Sequence, residues 1–411
     1  MPSPSSSPAL HLAVALDGAG WHPAAWREPG AAPDRLFTAA HWAPLVAEAE
    51  AGLLDFVTFE DSLALQSTHP TESDGRTDQV RGRLDAVLLA ARLAPLTRHI
   101  GLVPSVVATH TEPFHVSKAV ATLDHVSRGR AGLRIRISQR DDEARHFGRR
   151  KPDEGRAALL DEAADHIEVV RRLWDSWEDD AEIRDVATGR FVDRAKLHYA
   201  DFEGRHFSVR GPSITPRPPQ GQPLVTALAA DSGAYPLLAR AADLGYVTPR
   251  DADEVRVAVA GIRGAREAAG LGGGQPLHVF GELTVFLGDT QTAAARRLQR
   301  LDAAHGSAYT SDAPVFTGTP ARLADLLLEW RAAGLTGFRL RPGTHAHDLP
   351  AITRGLVPEL RRRGVFRRSY EAASLRGLLG LPRPGNRYAA PAPGPAPVPG
   401  PAPAAVPTAR A

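Results

Sequence analysis

The sequence predicts an α/β fold: a (β/α)8 TIM barrel with an insertion after strand four and a disordered Pro/Ala-rich C-terminal tail. The first observation is residues 98–138, which read as a strand, a helix and a second strand, and such a unit indicates parallel pairing. The second is that eight strand patterns alternate with helical ones along the chain. The third is that no Gly-x-Gly-x-x-Gly motif follows the first strand, which favours a closed barrel over an open dinucleotide-binding sheet.

The eight predicted strands are short apolar runs bounded by turn residues. They lie at residues 11–16, 54–59, 100–106, 131–137, 223–227, 245–248, 278–286 and 337–340. Between them, residues 156–177 carry apolar side chains at three-and-four spacing, which predicts an amphipathic helix. Residues 319–333 begin with Thr-Pro and end before Gly334, which are ordinary signals for the start and end of a helix.

These patterns predict one folded domain over residues 10–387. Residues 179–219 interrupt the alternation of strand and helix after the fourth strand, so we expect an insertion there rather than a separate domain. Residues 388–411 consist almost entirely of Ala, Pro, Gly and Val, a composition that cannot bury a core and predicts a disordered tail. A short disordered N-terminus is expected over residues 1–9.

Composition excludes several classes of function. The 411 residues include 49 Lys and Arg against 47 Asp and Glu, so the net charge of +2 predicts no nucleic-acid partner and no attraction to an acidic membrane surface. The absence of cysteine excludes disulfides, thiolate catalysis and Cys-ligated metals. The apolar run near the N-terminus is too short for a signal core or a membrane span, and we expect a cytoplasmic protein without a membrane segment.

Polar residues cluster just after the third predicted strand. Thr109 and His110 follow its carboxyl end, which is the edge where α/β barrels place their ligands. Near the end of the chain, His345, His347 and Asp348 suggest a metal trio by composition. Because no third ligand follows at a defined spacing, we interpret this segment as a rim loop and expect no metal.

Six stretches and a C-terminal segment match one family in order along nearly the whole chain. They are HPAAWR (22–27), LDFVTFEDS (54–62), IGLVPSVVATHTEPFHVSKAVATLDHVSRGRAG (100–132), EARHFG (143–148), EVVRRLWDSWEDDA (168–181), GRHFSVRGPSITPRPPQGQP (204–223) and GLVPELRRRGVFRRSYEAASLRGLLGLPRPGN (355–386). On these motifs the chain resembles the bacterial-luciferase-like flavin monooxygenases, in the branch of the nitrilotriacetate, pristinamycin-type and dibenzothiophene-sulfone enzymes.

The resemblance implies a two-component monooxygenase of dimeric barrels. Such an enzyme uses O₂ and reduced FMN, supplied by a separate flavin reductase, to oxidise a small organic substrate. The resemblance places flavin contacts at strand ends, which here carry Asp61, Thr109 and Ser138, and at the turn of residues 230–233. It also places His22 and His110 where a histidine can act as a general acid beside the flavin and substrate.

Three departures from the family pattern concern the cofactor. The fourth strand reads RIRIS, and its alternation directs Arg134 and Arg136 to the face that the family register puts inside the barrel. Their expected partners are Glu60 and Asp61, as a structural ion-pair network, or an anionic ligand at an altered phosphate site. A Tyr that contacts the flavin phosphate in the family is replaced by Ala157.

The third departure is in the turn after the fifth strand. Asp231 stands at the phosphate-facing position, where its carboxylate would repel a dianion. If the alignment with the family shifts by one residue, Ser232 takes the phosphate-facing position instead. Two classes of function therefore stay open. The first is the FMN-dependent monooxygenase, with an F420-dependent oxidoreductase as its variant, and the second is a barrel that has lost normal flavin binding and acts as a non-catalytic ligand-binding protein.

Overall fold

The computed structural model describes residues 10–67, 69, 73–150 and 155–389. In this part of the chain the strands are β1 His11–Leu16, β2 Phe56–Phe59, β3 Gly101–Val107, β4 Gly132–Arg136, β5 Glu182–Asp185, β6 Arg190–Val192, β7 Phe202–Glu203, β8 Ser208–Val209, β9 Leu224–Ala229, β10 Leu244–Val247, β11 His278–Leu287, β12 Val315–Gly318 and β13 Gly337–Pro342.

The helices of the described residues follow most of the barrel strands. They are α1 Ala39–Ala51, α2 Ala86–Leu93, α3 Pro113–Ser127, α4 Asp141–Phe147, α5 Arg156–Asp175, α6 Tyr235–Ala241, α7 Ala252–Ala268, α8 Gln291–His305, α9 Pro320–Ala332, α10 His345–Ala351, α11 Val357–Arg362 and α12 Leu375–Leu378. Among these residues no helix is both long and apolar enough to traverse a lipid bilayer.

Eight parallel strands close into a barrel, which confirms the predicted fold class. The order around the barrel is β1, β2, β3, β4, β9, β10, β11 and β13, and β13 pairs with β1 to complete the circle. The short strand β12, which the sequence did not predict, pairs with β11 over Thr284–Leu287, beyond the point where β10 ends. The eight predicted strands all correspond to barrel strands, with ends that differ by a few residues.

Local sequence signals explain how the helices begin and end. Helix α3 has Pro113 at its first turn, where a missing amide proton costs nothing, and it ends at Arg128 in a left-handed conformation with φ 59°. Helix α2 begins after Asp85, whose carboxylate accepts a hydrogen bond from the amide of Leu88. In α9, the hydroxyl of Thr319 accepts from the amide of Arg322, so the predicted helix start is confirmed.

The amino end of the barrel is closed by the chain's own C-terminal segment. Leu375, Leu379 and Leu381 pack into an apolar cluster with interior side chains that include Phe56 and Phe280. The contact is close: a Cβ added at Gly101 would lie 2.6 Å from Leu375 Cδ1. This plug leaves the opposite, carboxyl end of the strands as the end where a ligand can enter.

The insertion after strand four is confirmed as an interruption, and it has structure of its own. It forms two small antiparallel hairpins, β5–β6 and β7–β8, which the sequence analysis did not predict. The predicted N-terminal segment 1–9 lies outside the described residues, as does the predicted tail from residue 390 onward. The first residues of that tail belong to the folded part, since Tyr388 stacks on His198 with ring centroids 5.0 Å apart.

Candidate active site

A cavity of about 920 Å³ opens at the carboxyl ends of the barrel strands. Its floor and one wall are formed by the end of β4, with Arg134, Arg136 and Ser138, and the opposite wall is the segment Ser307–Asp312 before β12. Seven arginines line it, namely Arg76, Arg83, Arg134, Arg136, Arg140, Arg156 and Arg341, against the four carboxylates of Asp17, Glu60, Glu143 and Asp312. The cavity is therefore large enough for a drug-sized ligand and rich in guanidinium groups.

A chain of ion pairs, buried except at Asp312, crosses the barrel at the base of the cavity, and several of its members line the cavity. We call it the interior ion-pair network. Its members are Arg134, Glu60, Arg339, Glu282, Arg341 and Asp312. The nitrogen–oxygen distances are 2.9 Å from Arg134 to Glu60 and 2.6 Å from Arg339 to Glu282, and Arg339 also pairs with Glu60. Because β4, β11, β13 and the residue that follows β2 each contribute a member, the network ties opposite sides of the barrel together.

The arginines hold the two glutamates of the network in their charged form. Burial alone would raise the pKa of Glu60, but the guanidinium groups of Arg134 and Arg339 outweigh that effect and hold the pKa well below its usual range. The pKa of Glu282 is lowered in the same way, by Arg339 and Arg341 against the effect of burial. Burial lowers the pKa of Arg134 to about 10, which leaves its guanidinium protonated at neutral pH.

The structure confirms that Arg134 and Arg136 point into the barrel. Arg134 pairs with Glu60 as expected, and its Nη1 also donates to Ser105 Oγ at 3.2 Å. Arg136 does not pair with the carboxylate of Asp61, which corrects that expectation: its Nη1 donates to the backbone carbonyl of Asp61 at 2.5 Å. The expected structural ion pair is therefore present at Arg134. The hydrogen bond of Arg136 goes to a backbone carbonyl instead.

The carboxylate of Asp61 is turned away from the cavity. It accepts hydrogen bonds from the amides of Ser62 at 2.8 Å and Ala86 at 2.9 Å, so it joins the end of β2 to the start of α2. Burial raises the pKa of Asp61 to about 6. Thr109 is buried as well, and its hydroxyl accepts from the amide of Ser138 at 2.9 Å. These contacts position the cavity wall, and of the residues that make them Ser62 and Ser138 line the cavity.

The turn after β9 carries a carboxylate that already has partners. Asp231 Oδ1 accepts from the amide of Gly233 at 2.9 Å, and Oδ2 lies 3.3 Å from Nε of Arg156. Arg156 and Ala230 line the cavity, while Asp231 and Ser232 are exposed. The two sequence departures at residues 157 and 231 are thus neighbours in space, because helix α5 begins beside this turn.

The two histidines predicted as catalytic do not line the cavity. His22 is 1% exposed; its Nδ1 accepts from the amide of Ala24 at 3.0 Å and its Nε2 contacts Asp302 at 3.1 Å. Burial lowers the pKa of His22 below its ordinary 6.5 despite that carboxylate. His110 is half-buried and stacks on Phe147 with centroids 5.2 Å apart. Both rings therefore pack against the protein outside the cavity lining, and catalysis by either stays a prediction without structural support.

Sequence reasoning missed important members of the site. Arg339 and Arg341 lie on β13 in the stretch GFRLRP, which has the same alternation as RIRIS, so applying the period-two argument to this strand would have found them. Arg341 also lies over the ring of Trp21, 4.4 Å from its centroid. Glu143, on α4, is 1% exposed and lines the cavity, and its Oε1 accepts from the amide of Leu63.

The proposed rim loop at His345 is corrected by the structure, since this segment is the buried start of helix α10. His345 Nε2 accepts from the amide of Asp17, His347 Nε2 contacts the carbonyl of Leu287, and Asp348 pairs with Arg297, so each side chain has a partner of its own. In the described ranges no group of three or more His, Asp or Glu is arranged to hold a metal ion.

The closed parallel barrel, with one end plugged and a ligand-sized cavity at the other, defines an enzyme of the TIM-barrel class. A family profile described as luciferase-like monooxygenase matches residues 26–321. The chain belongs to this family of monooxygenases.

Its relatives match over nearly their full length. The N-acetyl-S-(2-succino)cysteine monooxygenase of Bacillus subtilis (strain 168) is 30% identical over 444 residues, covering 92% of this chain and 98% of the relative. Component A of the nitrilotriacetate monooxygenase of Aminobacter aminovorans is 28% identical, covering 93% and 98%. Among solved structures, the long-chain alkane monooxygenase LadA superposes with a TM-score of 0.82 at 22% identity, covering 91% of this chain and 96% of that one. This last likeness shows the shared fold.

Proposed function

We propose that the protein is the oxygenase component of a two-component system that oxidises a small organic substrate with O₂ and reduced FMN. The observation that carries the proposal is the guanidinium-rich cavity at the carboxyl ends of the barrel strands in a chain of the luciferase-like family. Reduced FMN bound there would supply the electrons that activate O₂. A separate flavin reductase, a homodimeric state and a cytoplasmic location belong to the same proposal.

The cavity suits a flavin in size and in chemistry. A volume of about 920 Å³ lies at the upper end of the range for small-molecule sites, which leaves room for a cofactor and a substrate together. Apolar side chains such as Ile137, Leu160 and Leu228 offer packing for an aromatic ring. Buried polar atoms of lining residues also lack hydrogen-bond partners within the described residues, among them Arg134 Nε and Glu143 Oε2. A bound ligand would satisfy such atoms.

The flavin phosphate would be held by Arg156 and Ser232 at the α5 side of the cavity. The support is that Arg156 lines the cavity and its guanidinium lies beside the turn that carries Ser232. The carboxylate of Asp231 pairs with the Arg156 guanidinium and would compete with the phosphate for it. Because this ion pair is exposed, water screens it and the competition is weak. This chain is therefore expected to bind FMN more weakly than it would with a neutral residue at position 231.

Thr109 and Ser138 would hold the cavity wall in place through their hydrogen bond, and Arg136 would give that wall its positive charge. Positive charge beside a flavin stabilises its reduced, anionic form. The closed amino end of the barrel excludes water from below, which strengthens these electrostatic interactions.

The test is a titration of the purified protein with oxidised and reduced FMN, riboflavin and F420, followed by fluorescence and calorimetry. We expect sub-millimolar binding of FMN, and O₂ consumption when reduced FMN is supplied. Arg156→Leu should weaken FMN more than riboflavin, whereas Arg240→Leu, whose guanidinium lies on α6 at 3.5 Å from Asp161 and outside the cavity lining, should change neither. If no flavin binds, the second class of function, a non-catalytic ligand-binding barrel, replaces this one; binding of F420 alone would support the F420-dependent variant.

A further inference from the structure

Arg136 differs from the other arginines of the cavity in its partners. The other six each have a carboxylate oxygen within 3.3 Å of a guanidinium nitrogen. For Arg136 the nearest carboxylate in the described part of the chain is Glu60, at 3.7 Å, and 37% of the Arg136 side chain is exposed. It is therefore an open cation in the cavity wall.

Glu60 offsets the charge of Arg136 only weakly, because both of its oxygens already accept hydrogen bonds from nearer guanidinium groups. Both oxygens accept hydrogen bonds from Arg134, and one of them also accepts from Arg339. Counting Arg136 with the interior ion-pair network, four guanidinium groups face the three carboxylates of Glu60, Glu282 and Asp312. This part of the site thus carries one excess positive charge, located at its exposed member.

The geometry of Arg136 also leaves most of its donors available. A guanidinium has five N–H groups in a planar fork, and the hydrogen bond to the carbonyl of Asp61 uses one of them. That bond fixes the orientation of the side chain without reducing its charge. A planar fork of free N–H groups matches a carboxylate, which it can bind through two parallel hydrogen bonds.

We propose that Arg136 is the specificity-determining residue for the substrate, which is a small organic molecule bearing a carboxylate. This inference rests on the proposed function, since it names the substrate class of the same cavity. A monoanion balances the single excess charge, whereas the flavin phosphate, a dianion, is assigned to Arg156 beside the turn after β9. The apolar side chains Leu160 and Leu228 would contact the organic body of the substrate.

The experiment compares the monoanions hexanoate and butanoate with the corresponding amides, hexanamide and butanamide, on the full-length protein with and without bound FMN. Binding is measured by calorimetry and by ligand-observed NMR. We expect the carboxylates to bind at least ~10-fold more tightly than the amides, the effect of one charge-assisted bidentate contact. Arg136→Gln should remove this preference. Arg140→Gln is the matched control, because Arg140 lines the same cavity but is already paired with Asp142 at 2.9 and 2.5 Å.

Six outcomes decide the matter. Loss of the carboxylate preference in Arg136→Gln alone, with circular dichroism unchanged, supports the proposal. Equal binding of acid and amide, no binding of either at millimolar concentration, or an unchanged preference in Arg136→Gln overturns it while leaving the flavin function intact. A selective loss of FMN relative to riboflavin in Arg136→Gln also overturns it, since Arg136 would then hold the phosphate. Failure of FMN to bind, with carboxylate selection present, refutes the proposed flavin function instead.

Discussion

Replacing Glu282 by Gln should destabilise the protein strongly, because it removes one charge from the buried part of the interior ion-pair network. Glu282 is 0% exposed and pairs with both Arg339 and Arg341. The amide is nearly isosteric with the carboxylate, so the effect is electrostatic rather than a matter of packing. Loss of one partner from a buried ion pair costs about 3–5 kcal/mol, because the remaining charge is left uncompensated.

That cost converts into a measurable shift. The entropy of unfolding is about 2 cal/mol/K per residue, so a loss of ~4 kcal/mol in a chain of this size lowers the Tm by about 5 °C. The assay is differential scanning calorimetry together with denaturant unfolding. Glu329→Gln is the control: Glu329 is exposed on α9, and its replacement should change the free energy of unfolding by less than ~0.5 kcal/mol.

The pH dependence gives an independent check on the cause. Because the folded protein lowers the pKa of Glu282 below its ordinary 4.5, the stabilisation is fully present above pH 4.5 and is lost as the pH falls through the folded pKa. The difference between wild type and Glu282→Gln should therefore be greatest near neutrality and shrink in acid. If Glu282→Gln proves as harmless as Glu329→Gln at pH 7, the reasoning about the network is refuted.

Three further predictions follow from other parts of the molecule. Asp231→Ser should tighten FMN binding by up to about fivefold and leave riboflavin unchanged, since the freed Arg156 pair is exposed and worth at most ~1 kcal/mol; weaker FMN binding would contradict the assignment of this turn. Leu375→Ala should cost ~2–5 kcal/mol in unfolding experiments by opening the barrel plug, whereas Leu88→Ala, at a side chain that is 70% exposed, should cost little. Burial lowers the pKa of His166 from 6.5 to about 3, so stability should fall as the pH drops below 6.5, by ~3 kcal/mol at pH 4.5. His166→Leu should flatten that decline and the exposed His115→Leu should not; an equal decline in both variants would refute it.

The barrel was predictable because its signals are local. Most barrel strands are short runs of mainly apolar, buried residues, and the sequence shows these runs directly. The hairpins of the insertion were not predicted because β7 and β8 have two residues each and β6 is largely exposed, so no hydrophobic period marks them. Strand β12 was missed for the same reason, since Val315 is exposed and only Gly318 is buried.

The candidate site was only partly predictable. Alternation along β4 correctly placed Arg134 and Arg136 inside the barrel, because a period of two fixes the face of a strand residue whatever its partner is. The same alternation on β13 was not used, and Arg339 and Arg341 were missed. Family position suggested His22 as a catalytic residue and Asp61 as a flavin contact. In the structure His22 contacts Asp302 and the amide of Ala24, and the Asp61 carboxylate accepts hydrogen bonds from two backbone amides.

By itself, the sequence determined the barrel class, the number of barrel strands, the family and the inward direction of the arginines on β4. The tertiary structure alone decided which carboxylate each arginine meets. Arg134 reaches Glu60 across 74 residues of chain, and Arg339 reaches the same carboxylate across 279. Such contacts depend on the closure order and register of eight strands, which no local pattern encodes. This is why Arg134 is a neutralised structural residue and Arg136, two positions later on the same face, is left as an open cation.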